Sequence, residues 1–314
     1  MKIGIGKAGA KIILIGEHSV VYGKPAIAIP FNGIETMVEI TKTNDDLSID
    51  SMYYKGLLNE SPLVIEGVSK LIYYVLDKLN IKKFGLHFKI NSNILGQRGL
   101  GSSASVSIAI VRAIYNAFNL VITNQELINL AMYAEKINHS NPSGLDVYTI
   151  VYQKPILFVK DEGFRILSIN LNAYLLIVDS NLPSKTKIAV DHVRELYNKD
   201  FDVVNQVFIE LAMLTNNASN YLATNDIEKL GQTMNLAQVL LEKIEVSNET
   251  INNLIESVKK FQVLGSKLTG GGMGGSIILL VKTKEEALKI KDELSNNKVW
   301  FYNLGDLKND KSIC

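Results

Sequence analysis

The stretch Gly99-Leu100-Gly101-Ser102-Ser103-Ala104-Ser105 ends a loop and opens an apolar helix within a chain of 314 residues. Glycines allow backbone N–H groups to approach an anion closely, and a helix N-terminus adds about half a positive charge. The adjacent hydroxyl groups of Ser102 and Ser103 can bind a phosphate oxygen or a metal ion. The stretch therefore favours a polyphosphate-binding loop, and a flexible connector with a serine N-cap is the alternative.

Two familiar nucleotide-binding motifs do not fit this stretch. A Walker loop requires a lysine next to its hydroxyl residue, and no lysine stands beside Ser102 or Ser103. A dinucleotide-binding pattern is present as Gly99-x-Gly101-x-x-Ala104, but that motif needs an acidic residue about twenty positions later, at the tip of a strand. The nearest acid, Glu126, instead forms a capping box with Thr123 at the start of the next helix.

The composition limits the class of protein. With 33 basic and 32 acidic residues, the chain has no net field that would attract nucleic acid or an anionic membrane. Its 47% hydrophobic residues favour a folded globule, and 314 residues suffice for two domains. The longest charge-free run, residues 211–225, is too short to span a bilayer. Cys314 is the only cysteine, which excludes internal disulfides and multi-cysteine zinc sites and fits a reduced, cytoplasmic setting.

Hydrophobic periodicity predicts an α+β protein, with strands and helices interleaved in both halves of the chain. The predicted strands are residues 12–15, 26–29, 35–40, 86–90, 173–178 and 276–281. The predicted helices are residues 62–79, 104–118, 124–138, 185–197, 201–222, 227–243, 250–261 and one that starts at the capping box of Thr283 and Glu286. For the helix at 62–79, Ser61 is the expected N-cap and Pro62 the first helical residue. A boundary near residue 168 would divide the chain into domains 1–168 and 169–314.

A second informative stretch, residues 11–26, begins with an apolar strand that leads directly into Glu17 and His18 and then into a Gly-x-Pro turn. Titratable groups at the end of a buried strand are either capped surface residues or groups held in a cleft. Because Glu17 stands beside His18, with Lys11 at the other end of the strand, the pattern favours a polar site.

A third stretch runs from Glu135 to Asp146 through a turn, Asn141-Pro142-Ser143-Gly144. Glu135 lies in the last turn of a predicted helix, where the helix dipole disfavours an acid, so a cationic partner is expected. That partner is either a surface lysine or arginine or Mg²⁺. Asp146 enters an apolar segment, where burial of an unpaired carboxylate is costly, and Lys11 is one candidate for its partner.

A glycine-rich loop, residues 267–276, has five glycines among positions 270–275 and is followed directly by a predicted core strand. A flexible linker could have this composition. A glycine loop inside a domain, however, indicates close approach of the backbone to another group. We expect that group to be the phosphates bound by the first loop.

Taken together, these segments resemble the GHMP kinase superfamily. The resemblance covers most of the chain, through motifs at residues 11–26, 93–105 with 135–146, and 267–276. Within the superfamily, residues 16–26 are most similar to the mevalonate kinases, and the chain length is similar to their shorter bacterial form. The resemblance implies a two-domain fold, with an N-terminal ribosomal-S5-domain-2-like domain and a C-terminal ferredoxin-like domain. It also implies ATP-dependent phosphorylation of (R)-mevalonate to 5-phosphomevalonate, a step of isoprenoid biosynthesis.

The resemblance further implies which residues bind the nucleotide. The ATP phosphates would be bound by Gly99, Leu100, Gly101, Ser102, Ser103, Ala104, Gly270, Gly271 and Gly272. The hydroxyl group of Ser103 and the carboxylate of Glu135 would hold Mg²⁺.

By the same resemblance, Asp146 would accept the proton of the substrate's primary hydroxyl, and Lys11 would stabilise charge on the transferring phosphoryl group. Glu17, His18 and Gly144 would contact the substrate, mevalonate. The resemblance implies no nucleic-acid or membrane partner, and it allows a homodimer.

Three departures from the family pattern are present, and two other functions stay open. Gln97 and Arg98 stand where many members have small residues, and Arg98 could reach a phosphate or lie on the surface of the loop. Gly271 stands where alanine is common, and Met273 interrupts the glycine run. The acceptor could be another small alcohol, such as galactose, homoserine or phosphomevalonate, or the chain could be a related decarboxylase. A non-catalytic ATP-dependent sensor would lack the base or the metal ligand, yet the chain retains both.

Overall fold

The computed structural model describes residues 3–139 and 141–308, so the single cysteine, Cys314, lies outside the described residues. Helices and strands are interleaved throughout, which confirms the predicted α+β class. The chain divides into two compact units, Met1–Lys11 with Pro30–Leu95 and Gly101–Gln153, and Ile12–Ile29 with Gly96–Leu100 and Lys154–Cys314. Among the described residues, none of the helices is both long enough and apolar enough to cross a membrane.

The first unit contains a sheet and several helices. Its elements are β1 (Gly4–Ile15), β2 (Ala26–Asp46), β3 (Ser48–Asp50), β4 (Lys55–Leu57), α1 (Glu66–Lys78), β5 (Phe84–Ser92), α2 (Ser102–Ala117), α3 (Asn124–Asn138) and α4 (Leu145–Tyr152). Its strands follow the order β4-β3-β5-β2, and β1 also pairs with β2. The last four residues of β1 and the first four of β2 are assigned to the second unit. The short strands predicted at 12–15, 26–29 and 35–40 are therefore parts of two long ones.

The backbone of β1 packs directly against α2 in the first unit. A Cβ atom added at Gly6 would lie 2.0 Å from the carbonyl oxygen of Ala109, and one at Gly4 would lie 2.4 Å from that of Ala113. Only glycine fits at such distances, and α2 presents small alanine side chains on the same face. This packing fixes the position of α2, whose first turn carries the serines of the predicted phosphate loop.

Two helix starts in the first unit show where local sequence signals succeed and fail. The side chain of Thr123 accepts a hydrogen bond from the backbone N–H of Glu126, and α3 has the predicted bounds. The predicted start of α1 at Ser61 and Pro62 is wrong, because the helix begins at Glu66 after a 3₁₀ turn over Leu63–Ile65. Leu63 and Val64 are 85% and 66% exposed, so only Ile65 of this segment is buried and little packing holds it in the helix.

The second unit contains an antiparallel sheet with strand order β11-β8-β10-β9. Its elements are β6 (Ile156–Val159), β7 (Gly163–Ile166), β8 (Tyr174–Asp179), α5 (Thr186–Lys199), α6 (Phe201–Thr224), α7 (Ile227–Lys243), α8 (Glu249–Ser257), β9 (Val263–Thr269), β10 (Ser276–Val281), α9 (Lys284–Glu293) and β11 (Val299–Asn303). From β8 onward the elements follow the β-α-β-β-α-β succession of ferredoxin-like domains, with extra helices in the first crossover. The resemblance implied this arrangement.

Candidate active site

In the first unit, Gly101 is the N-cap of α2 and adopts a left-handed conformation with φ of 74°. Its carbonyl oxygen accepts the first helical hydrogen bond, from the N–H of Ser105. A Cβ atom at Gly101 would lie 3.0 Å from Cγ and 3.2 Å from Cε of Lys11, so the glycine leaves room for the lysine side chain. Ser102, Ser103 and Ala104 form the first turn of α2, where backbone amides and the helix dipole favour an anion.

Lys11 and Asp146 form an ion pair, with 3.1 Å between Nζ of the lysine and Oδ1 of the aspartate. The lysine side chain is 2% exposed, whereas the aspartate side chain is 32% exposed. Asp146 is the second residue of α4, a helix that begins directly after the left-handed N-cap residue Gly144. The partner proposed for Asp146 from the sequence is therefore present, and the carboxylate has an open side that a hydroxyl group can reach.

The carboxylate of Glu135 is buried at the end of α3 and bonded to the predicted phosphate loop. The hydroxyl group of Ser103 donates a hydrogen bond of 2.5 Å to Oε1 of Glu135. Burial raises the pKa of Glu135 above its ordinary value, and the bond from Ser103 opposes that shift. Nε2 of His139 lies 3.9 Å from Oε2. The sequence predicted a cationic partner for Glu135, whereas its hydrogen-bond partner in the structure is the hydroxyl group of Ser103, whose oxygen is adjacent to Oε1.

In the second unit, Glu17 forms an ion pair with Lys267, and both side chains are fully buried. Lys267 also donates a hydrogen bond of 2.6 Å to the carbonyl oxygen of Leu268. The pair joins the turn after β1 to strand β9. Because an ammonium and a carboxylate are both removed from water here, removing either one would leave an opposite charge in a low-dielectric region.

His18 follows in a strained backbone conformation, with φ of 60° and ψ of −52°. Its Nε2 lies 3.0 Å from the carbonyl oxygen of Gly271. Burial lowers the pKa of His18 to about 4. The hydrogen bond to Gly271 raises this pKa, and the positive charge of Lys267 lowers it further. The neutral ring must carry its proton on Nε2, since a carbonyl can only accept, and Nδ1 is then an acceptor.

The glycine-rich loop lies very close to three other segments of the second unit. A Cβ atom at Gly99 would lie 2.4 Å from the carbonyl oxygen of Thr269, and one at Gly270 would lie 2.5 Å from Cα of Gly99. Added Cβ atoms at Gly271 and Gly272 would lie 2.6 Å from Oγ1 of Thr186 and 2.2 Å from the carbonyl oxygen of Val246. The glycines therefore allow protein segments to pack together, and a flexible linker does not describe this loop.

Comparison with known proteins gives the family. The family models described as GHMP kinases N terminal domain and GHMP kinases C terminal match residues 66–154 and 218–299. The solved mevalonate kinase structure from methicillin-resistant Staphylococcus aureus MRSA252 is 31% identical, with a TM-score of 0.73, over 97% of this chain and 100% of that chain. The chain belongs to the GHMP kinase family.

Further relatives of this GHMP kinase are also mevalonate kinases by name. The mevalonate kinase of Pyrococcus furiosus is 27% identical over 307 residues, which cover 91% of each chain. The crystal structure of L. major mevalonate kinase in complex with R-mevalonate is 25% identical, with a TM-score of 0.80 over 96% of both chains. The similarity extends over nearly the whole chain, so the chain is an enzyme of the kinase class.

The structure assigns contacts to three residues of this GHMP kinase that sequence reasoning missed or left open. Nε of Arg98 lies 2.8 Å from Oδ1 of Asp179, and both side chains are largely buried, so Arg98 does not lie loosely on the loop. No role was predicted for Lys267, which stands between Ser266 and Leu268 in a segment where the sequence indicated no strand. Asn138 donates a hydrogen bond of 2.9 Å to the hydroxyl oxygen of Ser103.

The donor set of the first unit fits a nucleotide-bound magnesium ion. Among the described residues, no three His, Cys, Asp or Glu side chains form a cluster that could hold a metal alone. Ser103 and Glu135 place two oxygen atoms next to each other beside the N-terminus of α2. Mg²⁺ is usually held by one or two protein oxygens together with substrate phosphates and water, so this pair suits a metal that arrives with ATP.

Proposed function

We propose that this GHMP kinase transfers the γ-phosphoryl group of ATP to the primary hydroxyl of (R)-mevalonate and forms 5-phosphomevalonate and ADP. The observation that carries the proposal is the ion pair of Lys11 and Asp146, in which the lysine is buried and the aspartate remains partly exposed. The Pyrococcus furiosus relative, which matches nine tenths of the chain, bears the name mevalonate kinase, and the L. major mevalonate kinase holds R-mevalonate in its crystal structure.

The phosphate chain of ATP would be bound by backbone amides of residues 99–104 and by the glycines at 270–272. The N-terminus of α2 supplies a positive partial charge for these anions. Ser103 and Glu135 would hold Mg²⁺, which supplies charge neutralisation on the phosphates. Phosphoryl transfer depends mainly on positioning and electrostatic stabilisation, which is what these groups offer.

Asp146 would accept the proton of the attacking hydroxyl, a role that contributes about 10²- to 10⁴-fold to the rate. Lys11 lies beside it and would stabilise negative charge on the transferring phosphoryl group. The order of events follows from the chemistry. A carboxylate is a much weaker base than an alkoxide, so the proton would move as the phosphoryl group transfers.

Glu17, His18 and Gly144 are the proposed contacts for mevalonate. His18 would contribute Nδ1 as an acceptor for a substrate hydroxyl, since its Nε2–H is directed to Gly271. Glu17 is held by Lys267, so we propose that its carboxylate has a fixed orientation toward the substrate. Gly144 would place its backbone close to the substrate because it carries no side chain.

The test is a coupled ADP-release assay with mevalonate, galactose, homoserine and phosphomevalonate as alternative acceptors. We expect turnover with (R)-mevalonate and ATP, and kcat/KM at least about 100-fold lower with each other acceptor, because buried groups that lose a partner reject analogues strongly. Faster turnover with another acceptor would contradict the substrate assignment. Absence of ADP release with all four would contradict the kinase chemistry and favour a nucleotide sensor.

Other parts of the proposal concern the setting of the reaction. The proposed functional domains are residues 1–168 and 169–314, and the two matched family models lie on either side of that boundary. The substrates are small molecules, and the near-equal numbers of acidic and basic residues favour neither nucleic acid nor a membrane surface as a partner. A homodimer and a cytoplasmic location remain predictions.

A further inference from the structure

Asn138, the last residue of α3, contacts one of the proposed magnesium ligands, Ser103, and has no part in the proposed phosphoryl transfer. Its Nδ2 donates a hydrogen bond of 2.9 Å to Oγ of Ser103, and the same hydroxyl donates its proton to Glu135 at 2.5 Å. A serine hydroxyl has one proton and two lone pairs. One lone pair therefore accepts from Asn138, the proton points to Glu135, and the second lone pair is left for a cation.

The direction of both bonds follows from chemistry. The amide nitrogen of Asn138 can only donate, and a carboxylate can only accept, so Ser103 receives from one and gives to the other. Without Asn138, the hydroxyl group would keep its bond to Glu135 but could rotate its lone pairs about that bond. Asn138 thus fixes the orientation of the oxygen that faces the metal.

A glycine on a different helix makes room for this amide. Gly67 is buried in the first turn of α1, where glycine is a poor helix former. A Cβ atom at Gly67 would lie 2.2 Å from Oδ1 and 2.8 Å from both Cγ and Nδ2 of Asn138. Any larger residue at position 67 must displace the amide group, which is the end of a flexible side chain and can move at little cost.

We propose that Asn138 is a positioning residue that orients the hydroxyl group of Ser103 toward Mg²⁺-ATP, and that Gly67 is required to seat its amide. The proposal rests on the assignment of Ser103 and Glu135 as magnesium ligands in the proposed function. Partners behind a metal ligand typically change metal affinity by about 10- to 100-fold when they are removed. Asn138 is accessible to solvent, so we expect the low end of that range.

The experiment measures ATP binding by calorimetry over a series of Mg²⁺ concentrations, with the full chain and without an acceptor substrate. We expect Asn138→Ala to raise the Mg²⁺ concentration for half-maximal ATP binding about tenfold. Gly67→Ala should produce the same shift without a change at any polar group, and its melting temperature should equal or exceed that of the wild type. The double variant should shift no further than either single one, since both remove the same contact.

Asn129→Ala is the matched control. Asn129 is an exposed asparagine on the same helix, about two and a half turns away and therefore on the opposite side. It should leave the Mg²⁺ dependence unchanged. A wild-type Mg²⁺ dependence in Asn138→Ala, or additive shifts in the double variant, would overturn the proposal. If the wild type shows the expected Mg²⁺-ATP binding but does not phosphorylate mevalonate, the substrate assignment fails and the role of Asn138 does not.

Discussion

At the scale of the residue, Asp146 is the group on which the proposed chemistry depends most. We expect Asp146→Ala to lower kcat by about 10²- to 10⁴-fold, because the attacking hydroxyl loses its proton acceptor. ATP affinity should change little, since the proposed phosphate-binding groups are on α2 and the glycine loops. Steady-state kinetics with mevalonate, together with calorimetric ATP binding, separate the two effects.

Asp50→Ala is a suitable control for that substitution. Asp50 is also paired with a lysine, because its Oδ2 lies 2.9 Å from Nζ of Lys55. This lysine is exposed, however, and Asp50 lies on the short strand β3, which contains none of the proposed site residues. Its loss should leave kcat unchanged. Turnover of Asp146→Ala within about threefold of the wild type would exclude Asp146 as the general base, because that role alone contributes more.

Single residues differ in how far sequence reveals them. The pairing of Lys11 with Asp146 was a candidate because a carboxylate in an apolar segment needs a cation. The bonds of Asn138 to Ser103 and of Lys267 to Glu17 were not predicted. Each joins segments that are distant in the chain, and their contact depends on packing that no local pattern encodes.

At the scale of elements, the buried pair of Glu17 and Lys267 holds strand β9 to the turn after β1. We expect Lys267→Met to lower the free energy of unfolding by about 3–5 kcal/mol, because Glu17 would be buried without the ammonium group of Lys267. Adding Glu17→Gln should recover a large part of that loss, since the remaining polar group is neutral. Urea unfolding at neutral pH measures both changes.

An exposed ion pair provides the contrast for this prediction. The side chains of Lys282 and Glu228 are 66% and 58% exposed, so Lys282→Met should change the free energy of unfolding by less than about 1 kcal/mol. If Lys267→Met costs no more than Lys282→Met, the buried pair does not hold the two elements together. No recovery in the double variant would indicate that Lys267 acts through its other contacts.

Elements with a chemical start signal and a buried face were predicted most accurately. Helix α3 and strand β10 have the predicted bounds, and the Thr283 cap precedes α9 as expected. The predicted start of α1 was wrong because Ser61 and Pro62 suit a helix N-terminus locally, whereas the two residues after them, Leu63 and Val64, stay exposed. Local propensity is a weak preference that tertiary packing overrides.

At the scale of the whole molecule, the α+β class and the ferredoxin-like strand order followed from the element pattern and the family resemblance. The sequence did not predict that each of the two compact units combines separate segments of the chain. The first unit takes three separate segments of the chain, and β1 and β2 each contribute residues to both units. Hydrophobic periodicity reports which residues are buried but not which partner buries them.

The pH dependence of global stability provides a test of His18 at this scale. Burial lowers the pKa of His18 to about 4, whereas an unfolded chain has a value near 6.5. Between these values the unfolded state binds more protons, so the free energy of unfolding falls as the pH falls. The contribution of His18 is fully present above about pH 6.5, and about 3 kcal/mol of it is lost by pH 4.

His18→Asn isolates this contribution, because asparagine tolerates a positive φ and does not titrate. Glu135 acts in the opposite direction, since its raised pKa favours proton binding by the folded state, but it is present in both proteins. Urea unfolding of the wild type and of His18→Asn is measured at steps from pH 7 to pH 4. As the pH falls, the wild type should lose more of its free energy of unfolding than the variant does. Parallel curves would mean that the His18 ring is protonated equally in the folded and unfolded states, and the proposed neutral Nδ1 acceptor would have to be abandoned.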